Sequence, residues 1–127
     1  MKTRYIVALS MLAGIAVGSV AIQTLHAQTK PPVYMVAINE LTNPEGYQKE
    51  YLPKAQTAIK AHGGVYVAAG PGMIIDGSFP KGRVVILRWE SLDALKKWHE
   101  SPDYQAALKI GKNYAQYNVV AVDGVKQ

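Results

Sequence analysis

The chain of 127 residues carries 14 lysines and arginines against 9 acidic residues, a formal charge of +5, and is 49% hydrophobic. It contains no cysteine, which excludes disulfide staples, thiolate metal sites, cysteine nucleophiles and lipid attachment at an N-terminal cysteine. The length is that of one domain, whose stability must then come from its apolar core alone.

The chain opens "MKTR", continues "YIVALSMLAGIAVGSVAI" and turns polar at "QTLHAQTKPP", with no acidic residue before Glu40. Positive charge followed by an apolar run is the pattern of a secretory signal, expected over residues 1–27. The apolar run Ile6 to Ile22 spans 17 residues, at the lower edge of what crosses a bilayer as a helix, so a cleaved signal is favoured over an uncleaved anchor. Cleavage can follow Ser19-Val20-Ala21 or Leu25-His26-Ala27, and both sites stay open. A short linker, residues 28–32, then leads into a domain over residues 33–125. The protein is expected in the periplasm or outside the cell, off the membrane once the signal is removed. Losing Lys2 and Arg4 lowers the formal charge from +5 to +3. The remaining lysines, Lys54, Lys60, Lys96, Lys97, Lys109 and Lys112 among them, are scattered as on a solvated surface, which argues against a nucleic-acid partner.

"VYMVAINEL" (Val33 to Leu41) is β-branched without helical period and predicts a strand. In "TNPEGY" the period changes: Asn43 suits an N-cap, Pro44 the first helical position, and Glu45 the positive end of the helix dipole. Tyr47, Tyr51, Ala55, Ala58, Ile59 and His62 then recur at three and four, one buried stripe of an amphipathic helix. Pro53 lies inside it and predicts a bend, because it cannot donate to the carbonyl of Lys49. Gly63 follows the stripe at the place of a left-handed C-cap. The glycines of "IKAHGGVYVAAGPG" therefore come after a helix, whereas a phosphate loop needs them before one. "VYVAA" is a strand, and Val65 to Asp76 reads as a strand with a break or as a small hairpin, with "GPG" and "DGSFPKG" as turns. "RVVILRWE" (Arg83 to Glu90) is the strongest strand. Ser91 caps a helix that buries Leu92, Leu95 and Trp98. Ser101-Pro102 interrupts it and starts another, with Tyr104, Ala107, Leu108, Gly111, Tyr114 and Ala115 as its stripe. "YNVVAVDG" (Tyr117 to Gly124) closes as a strand.

The order is βαββαβ, which predicts an α+β ferredoxin-like sandwich with an antiparallel sheet. Its strands are apolar on both faces: Val84 and Ile86 point one way along the third, Val85 and Leu87 the other. Helices cover one face, and the other would be a large apolar patch in water, so a homodimer through the open sheet face is expected.

At "TNPEGY", "AHGGVY", "KGRVVILRW" and "SPDYQAAL" the chain resembles the bacterial family called domain of unknown function 1330, over Val33 to about Val125. The resemblance implies a dimeric α+β barrel, in which two ferredoxin-like sheets pack face to face around a cleft. The wider superfamily holds cofactor-free monooxygenases, isomerases, stress-response and heme-handling proteins, so the fold sets no function. Pro44, Tyr47, Gly63, Gly64, Arg83, Ser101 and Tyr104 match family landmarks. Arginine is common in the family where this chain has Ala69 and Gly111. If those arginines hold an anion in relatives, that grip is missing here.

The chemistry legible in the residues is sparse. His62 at a helix end reads first as a locally bonded histidine favoured by the dipole, and alternatively as a general base at the cleft rim. His99, beside Trp98, reads as a surface histidine with the same alternative. No spacing suggests a metal site or a Ser-His-Asp set, and no cofactor is expected. Lys81-Gly82 and Ile86 match part of an RNA-binding octamer, but its three aromatic positions fall on Arg83, Val85 and Arg88. Arg88 and Glu90 share the face of Val84 and Ile86, where they would pair across a dimer or line a ligand site. The reading that results is a dimer binding a small, largely apolar molecule between sheet and helices, with Tyr66, Arg88, Trp98 and Tyr104 as walls. The alternatives are a cofactor-free enzyme using His62 or His99 as base, and an assembly protein with no ligand.

Overall fold

The first strand, β1 (Val33–Leu41), forms over the expected segment, and its alternation decides which residues enter the core. Val33, Met35, Ala37 and Asn39 are buried, while Tyr34, Val36, Ile38 and Glu40 face the other way and are half-exposed. The structure is a computed structural model; it describes residues 30–127, and Pro32–Val125 form one unit. The leader expected over residues 1–27 lies outside the described residues. No helix among the described residues is long and apolar enough to cross a membrane.

Asn43 caps the first helix as expected, its side chain accepting from the Gly46 N–H at 3.0 Å. Helix α1 (Pro44–Gly46) runs without a break into a π-helical turn (Tyr47–Tyr51) and then α2 (Leu52–Ala61). The bend expected from Pro53 takes this form. The Leu52 N–H reaches back five residues to the Tyr47 carbonyl, and the missing donor of Pro53 falls where the wide turn closes. Tyr47, Tyr51, Ala55, Ala58 and Ile59 are buried along the stripe, but His62 is not. His62 is the C-cap residue, one position past the last helical turn, and it stands exposed. Gly63 follows with φ of +90°, and the Gly64 and Gly63 N–H groups bond the carbonyls of Ile59 (2.9 Å) and Lys60 (3.3 Å), a Schellman ending.

Strand β2 (Val65–Pro71) leaves this corner. It ends at Pro71, and neither a strand nor a hairpin forms over Met73–Asp76: the segment to Gly82 is irregular, with Ile75 94% exposed. Apolar residues alone do not make a strand where no neighbouring edge offers hydrogen bonds. Strand β3 (Arg83–Trp89) follows, then α3 (Leu92–Glu100), α4 (Pro102–Gly111) and β4 (Ala115–Asp123). On α3, Leu95 and Trp98 are buried as expected, whereas Leu92 lies at the first position and is exposed. Ala115, expected at the end of a helical stripe, begins β4 instead.

All strand pairs are antiparallel, in the order β2-β3-β1-β4, with the two longest connections helical. This is the expected α+β ferredoxin-like arrangement. One face packs Met35, Ala37, Val85, Leu87 and Trp89 against the helices. The other carries Tyr34, Val36 and Ile38 of β1, Val84, Ile86 and Arg88 of β3, Val65 and Ala68 of β2, and Val120 and Val122 of β4. No helix of this unit covers that face. Val65, Val120 and Val122 stand exposed there.

Candidate functional site

The side chains that could do chemistry gather between sheet and helices. A cavity of about 20 Å³ lies there, lined by Asn39, Tyr47, Tyr51, Tyr66, Trp98, Tyr104 and Tyr117 together with aliphatic side chains. That volume is room for about one water. The π turn sets its roof: it brings Tyr47 and Tyr51 to ring centroids 5.0 Å apart, both buried. Helix α4 adds Tyr104, whose hydroxyl shares a hydrogen bond of 2.8 Å with that of Tyr51. From the sheet, the Asn39 Nδ2 donates to the Tyr47 hydroxyl at 3.0 Å, and the Tyr117 ring lies 5.2 Å from Tyr51. The hydroxyl of Tyr117 and the Oδ1 of Asn39 are buried without a partner among the described residues, as is the Nε of Arg83.

Burial decides the protonation of these phenols. Desolvation raises Tyr47, Tyr51, Tyr104 and Tyr117 above the ordinary tyrosine range and pushes Tyr66 up to about 12. For Tyr47 the Asn39 hydrogen bond and the nearby Arg83 guanidinium offset part of that effect. At neutral pH the phenols are therefore neutral donors, suited to an oxygen acceptor and not to proton abstraction.

Of the residues expected as walls, Tyr66, Trp98 and Tyr104 line this cavity together. Arg88 does not join them. It pairs in register with Tyr34 and Val65 on the open face, on the opposite side of the sheet. Neither histidine lines the cavity. His99 stacks outside, its ring 5.8 Å from both Trp98 and Tyr104. His62 has an acidic companion that spacing did not reveal: its Nε2 lies 3.1 Å from both carboxylate oxygens of Asp103, 41 positions later. The pair is solvent-exposed and ties the end of α2 to the start of α4. The Ser101 hydroxyl and then His62 hold the Asp103 carboxyl below its usual range. Among the described residues no group of three or more histidine and acidic side chains could hold a metal.

Asn39, Arg83 and Tyr117 were not picked out as a site. The signal was present: each is a polar group in phase with the buried set of its strand. Asn39 follows Val33, Met35 and Ala37; Arg83 precedes Val85 and Leu87; Tyr117 follows Ala115. At Gly111 a Cβ would run into Tyr51 and the Tyr117 hydroxyl, so those two rings occupy the space an arginine side chain would start from. Ala69 lies on the helix-side row beside Val85, at the exposed edge strand.

Residues 32–125 match the family model described as domain of unknown function (DUF1330). No protein of curated function matches the chain in sequence. Among solved structures, a protein of unknown function from Rhodopseudomonas palustris is 17% identical with a TM-score of 0.62, over 82% of this chain and 94% of that one. SnoaB, a cofactor-independent oxygenase from Streptomyces nogalater, is 11% identical with a TM-score of 0.56, over 76% of this chain and 96% of that one. A dimeric protein of unknown function and ferredoxin-like fold from Bacteroides fragilis is 14% identical with a TM-score of 0.51, over 72% and 95% of the two chains. At such identities the likeness shows a shared fold.

Proposed function

The chain belongs to the DUF1330 family, and from that premise we propose that it is an exported homodimer binding a small, largely apolar molecule in the cleft between sheet and helices. One observation carries the reading. Neutral phenol donors and an unpaired carboxamide oxygen converge in a cavity whose other walls are apolar, the composition of a small-molecule site. In the closed arrangement the cavity holds about one water, so a ligand enters by displacing the rim side chains Tyr66 and Val119, which are 37% and 47% exposed. The uncovered apolar face supports a second copy as its cover, and the dimeric neighbour of the same fold agrees with this. The basic and apolar leader supports export.

Native mass spectrometry of the protein purified from its own host tests the reading. The expected result is a dimer carrying a constant extra mass that is lost in Ala37→Leu, which fills the cavity from the sheet side. Bare dimers would favour the assembly reading, with no ligand. N-terminal sequencing of the purified protein should begin at Ile22 or Gln28 if the leader is removed.

The enzyme alternative treats the bound molecule as a substrate, and the fold shared with a cofactor-independent oxygenase supports it. A histidine base would need to reach the cavity, and both His62 and His99 stand outside its lining. Retention of the extra mass in His62→Ala and His99→Ala, without chemical change of the bound molecule, counts against either residue as base.

A further inference from the structure

The two most exposed large apolar side chains among the described residues, Ile75 (94%) and Met73 (87%), stand together in the segment between β2 and β3. Ile74 (61%) and Phe79 (45%) accompany them. From Gly72 to Gly82 the only charged residues are Asp76 and Lys81. A contiguous apolar patch of this kind marks a contact surface.

The segment lies beside the uncovered face of the sheet. A Cβ at Gly72 would stand 3.1 Å from Val84 and 3.7 Å from Phe79, and Val84 is register partner of Ile38 and Gly70 on that face. A groove of about 820 Å³ runs between segment and sheet, lined by Ala68, Gly70 and Val84 on one side and by Met73, Ile74 and Phe79 on the other. The groove is therefore continuous with the face that the dimer reading gives to a second copy. Area points to the same occupant. Tyr34, Val36, Ile38, Val84 and Ile86 at the centre of the face are only half-exposed in one copy. Four strands and seven paired residues make a face of roughly 450 Å² in projection. A stable dimer takes about 800 Å² from each copy, so apolar surface next to the face is needed to complete it. In a two-fold contact the same segment is offered twice, once by each copy. A membrane surface fits less well, because the segment lacks the basic residues that draw a peptide to lipid headgroups.

We propose that Gly72–Phe79 is a dimerisation arm, which closes against the second copy and seats it in the groove beside β2. The inference rests on the dimer reading above and adds to the sheet face a second element of the interface.

Sedimentation velocity over a dilution series of the purified, processed protein tests it. Ile75→Asp should raise the dimer dissociation constant at least tenfold, the factor carried by one buried aliphatic side chain. Circular dichroism should stay unchanged, because Ile75 is 94% exposed in its own copy. Leu92→Asp places the same charge on an exposed apolar site of the helix layer and should leave the dissociation constant as it is. The chain has no cysteine, so Ile75→Cys offers a single thiol. Ellman's reagent should modify it at least tenfold more slowly in the dimer than when Val120→Lys is added. A dissociation constant unmoved by Ile75→Asp, an equal loss in Leu92→Asp, or a thiol equally reactive in both states overturns the arm and leaves the sheet-face dimer standing. Binding to phosphatidylglycerol vesicles that Ile75→Asp abolishes, with the dimer unaffected, assigns the segment to a lipid surface and also overturns it. A native protein that is monomeric at micromolar concentration removes the dimer reading and the arm together.

Discussion

Adjacent residues in one turn can be fixed by different physics, as Gly63 and Gly64 show. Gly63 has φ of +90° and open space around the position of a Cβ, so only backbone strain opposes a side chain there. Gly63→Ala should cost about 1 kcal/mol in thermal or denaturant unfolding. Gly64 needs no left-handed backbone, but a Cβ would stand 2.7 Å from Ile59 and from Trp89 in the core. Gly64→Ala should therefore cost more than its neighbour, on the order of 1–3 kcal/mol for overpacking. Asp103 offers a pH-dependent test. Its carboxyl is depressed in the folded state by the Ser101 hydroxyl and by His62, so its contribution is present above the unfolded carboxylate value of 3.8 and fades as pH falls through the lower folded value. The stability difference between the native protein and Asp103→Asn should thus be visible at neutral pH and vanish in acid, measured by melting temperature across that range.

Among the elements, the junction of α3 and α4 depends on one side chain. The buried Ser101 hydroxyl donates to the Trp98 carbonyl at 2.6 Å and accepts from the Tyr104 N–H at 3.4 Å, serving the end of one helix and the start of the next. Ser91 caps only the start of α3, at the surface. Ser101→Ala should cost about 2 kcal/mol and Ser91→Ala about 1, read from unfolding midpoints. Because Tyr104 follows Ser101 into the helix, the first substitution should also disturb the Tyr51–Tyr104 hydrogen bond, whereas the second should not. The caps, Pro44 and Pro102 at helix starts, and the four main strands were legible because each rests on local backbone chemistry. The irregular segment after Pro71 was not, since its apolar run carries no sign that it lacks a strand partner.

At the scale of the whole molecule, the open sheet face is where the proposed dimer can be tested. Val36 pairs in register with Ile86 and Val120, giving an apolar row across three strands with no helix of this unit over it. Val120 is 61% exposed, so Val120→Lys removes little packing within one copy. Under the dimer reading it should yield folded monomers in sedimentation velocity at micromolar concentration, with circular dichroism unchanged. A native protein already monomeric at that concentration would remove the basis for the dimer. Arg88 lies on this same face beside Tyr34 and Val65, which makes it a candidate contact between copies and no longer a wall of the cleft.

Local patterns carried the element order, the caps, the Schellman corner and the division of each strand into two faces, because period and backbone conformation depend on residues a few positions apart. They could not carry the site. Asn39 gains Arg83 on one side and Tyr117 on the other through strand register, and His62 meets Asp103 through helix packing, across separations that no sequence period spans. Which tyrosines share one cavity, and that both histidines lie outside it, follows from how sheet and helices pack, a long-range arrangement that short-range spacing leaves open.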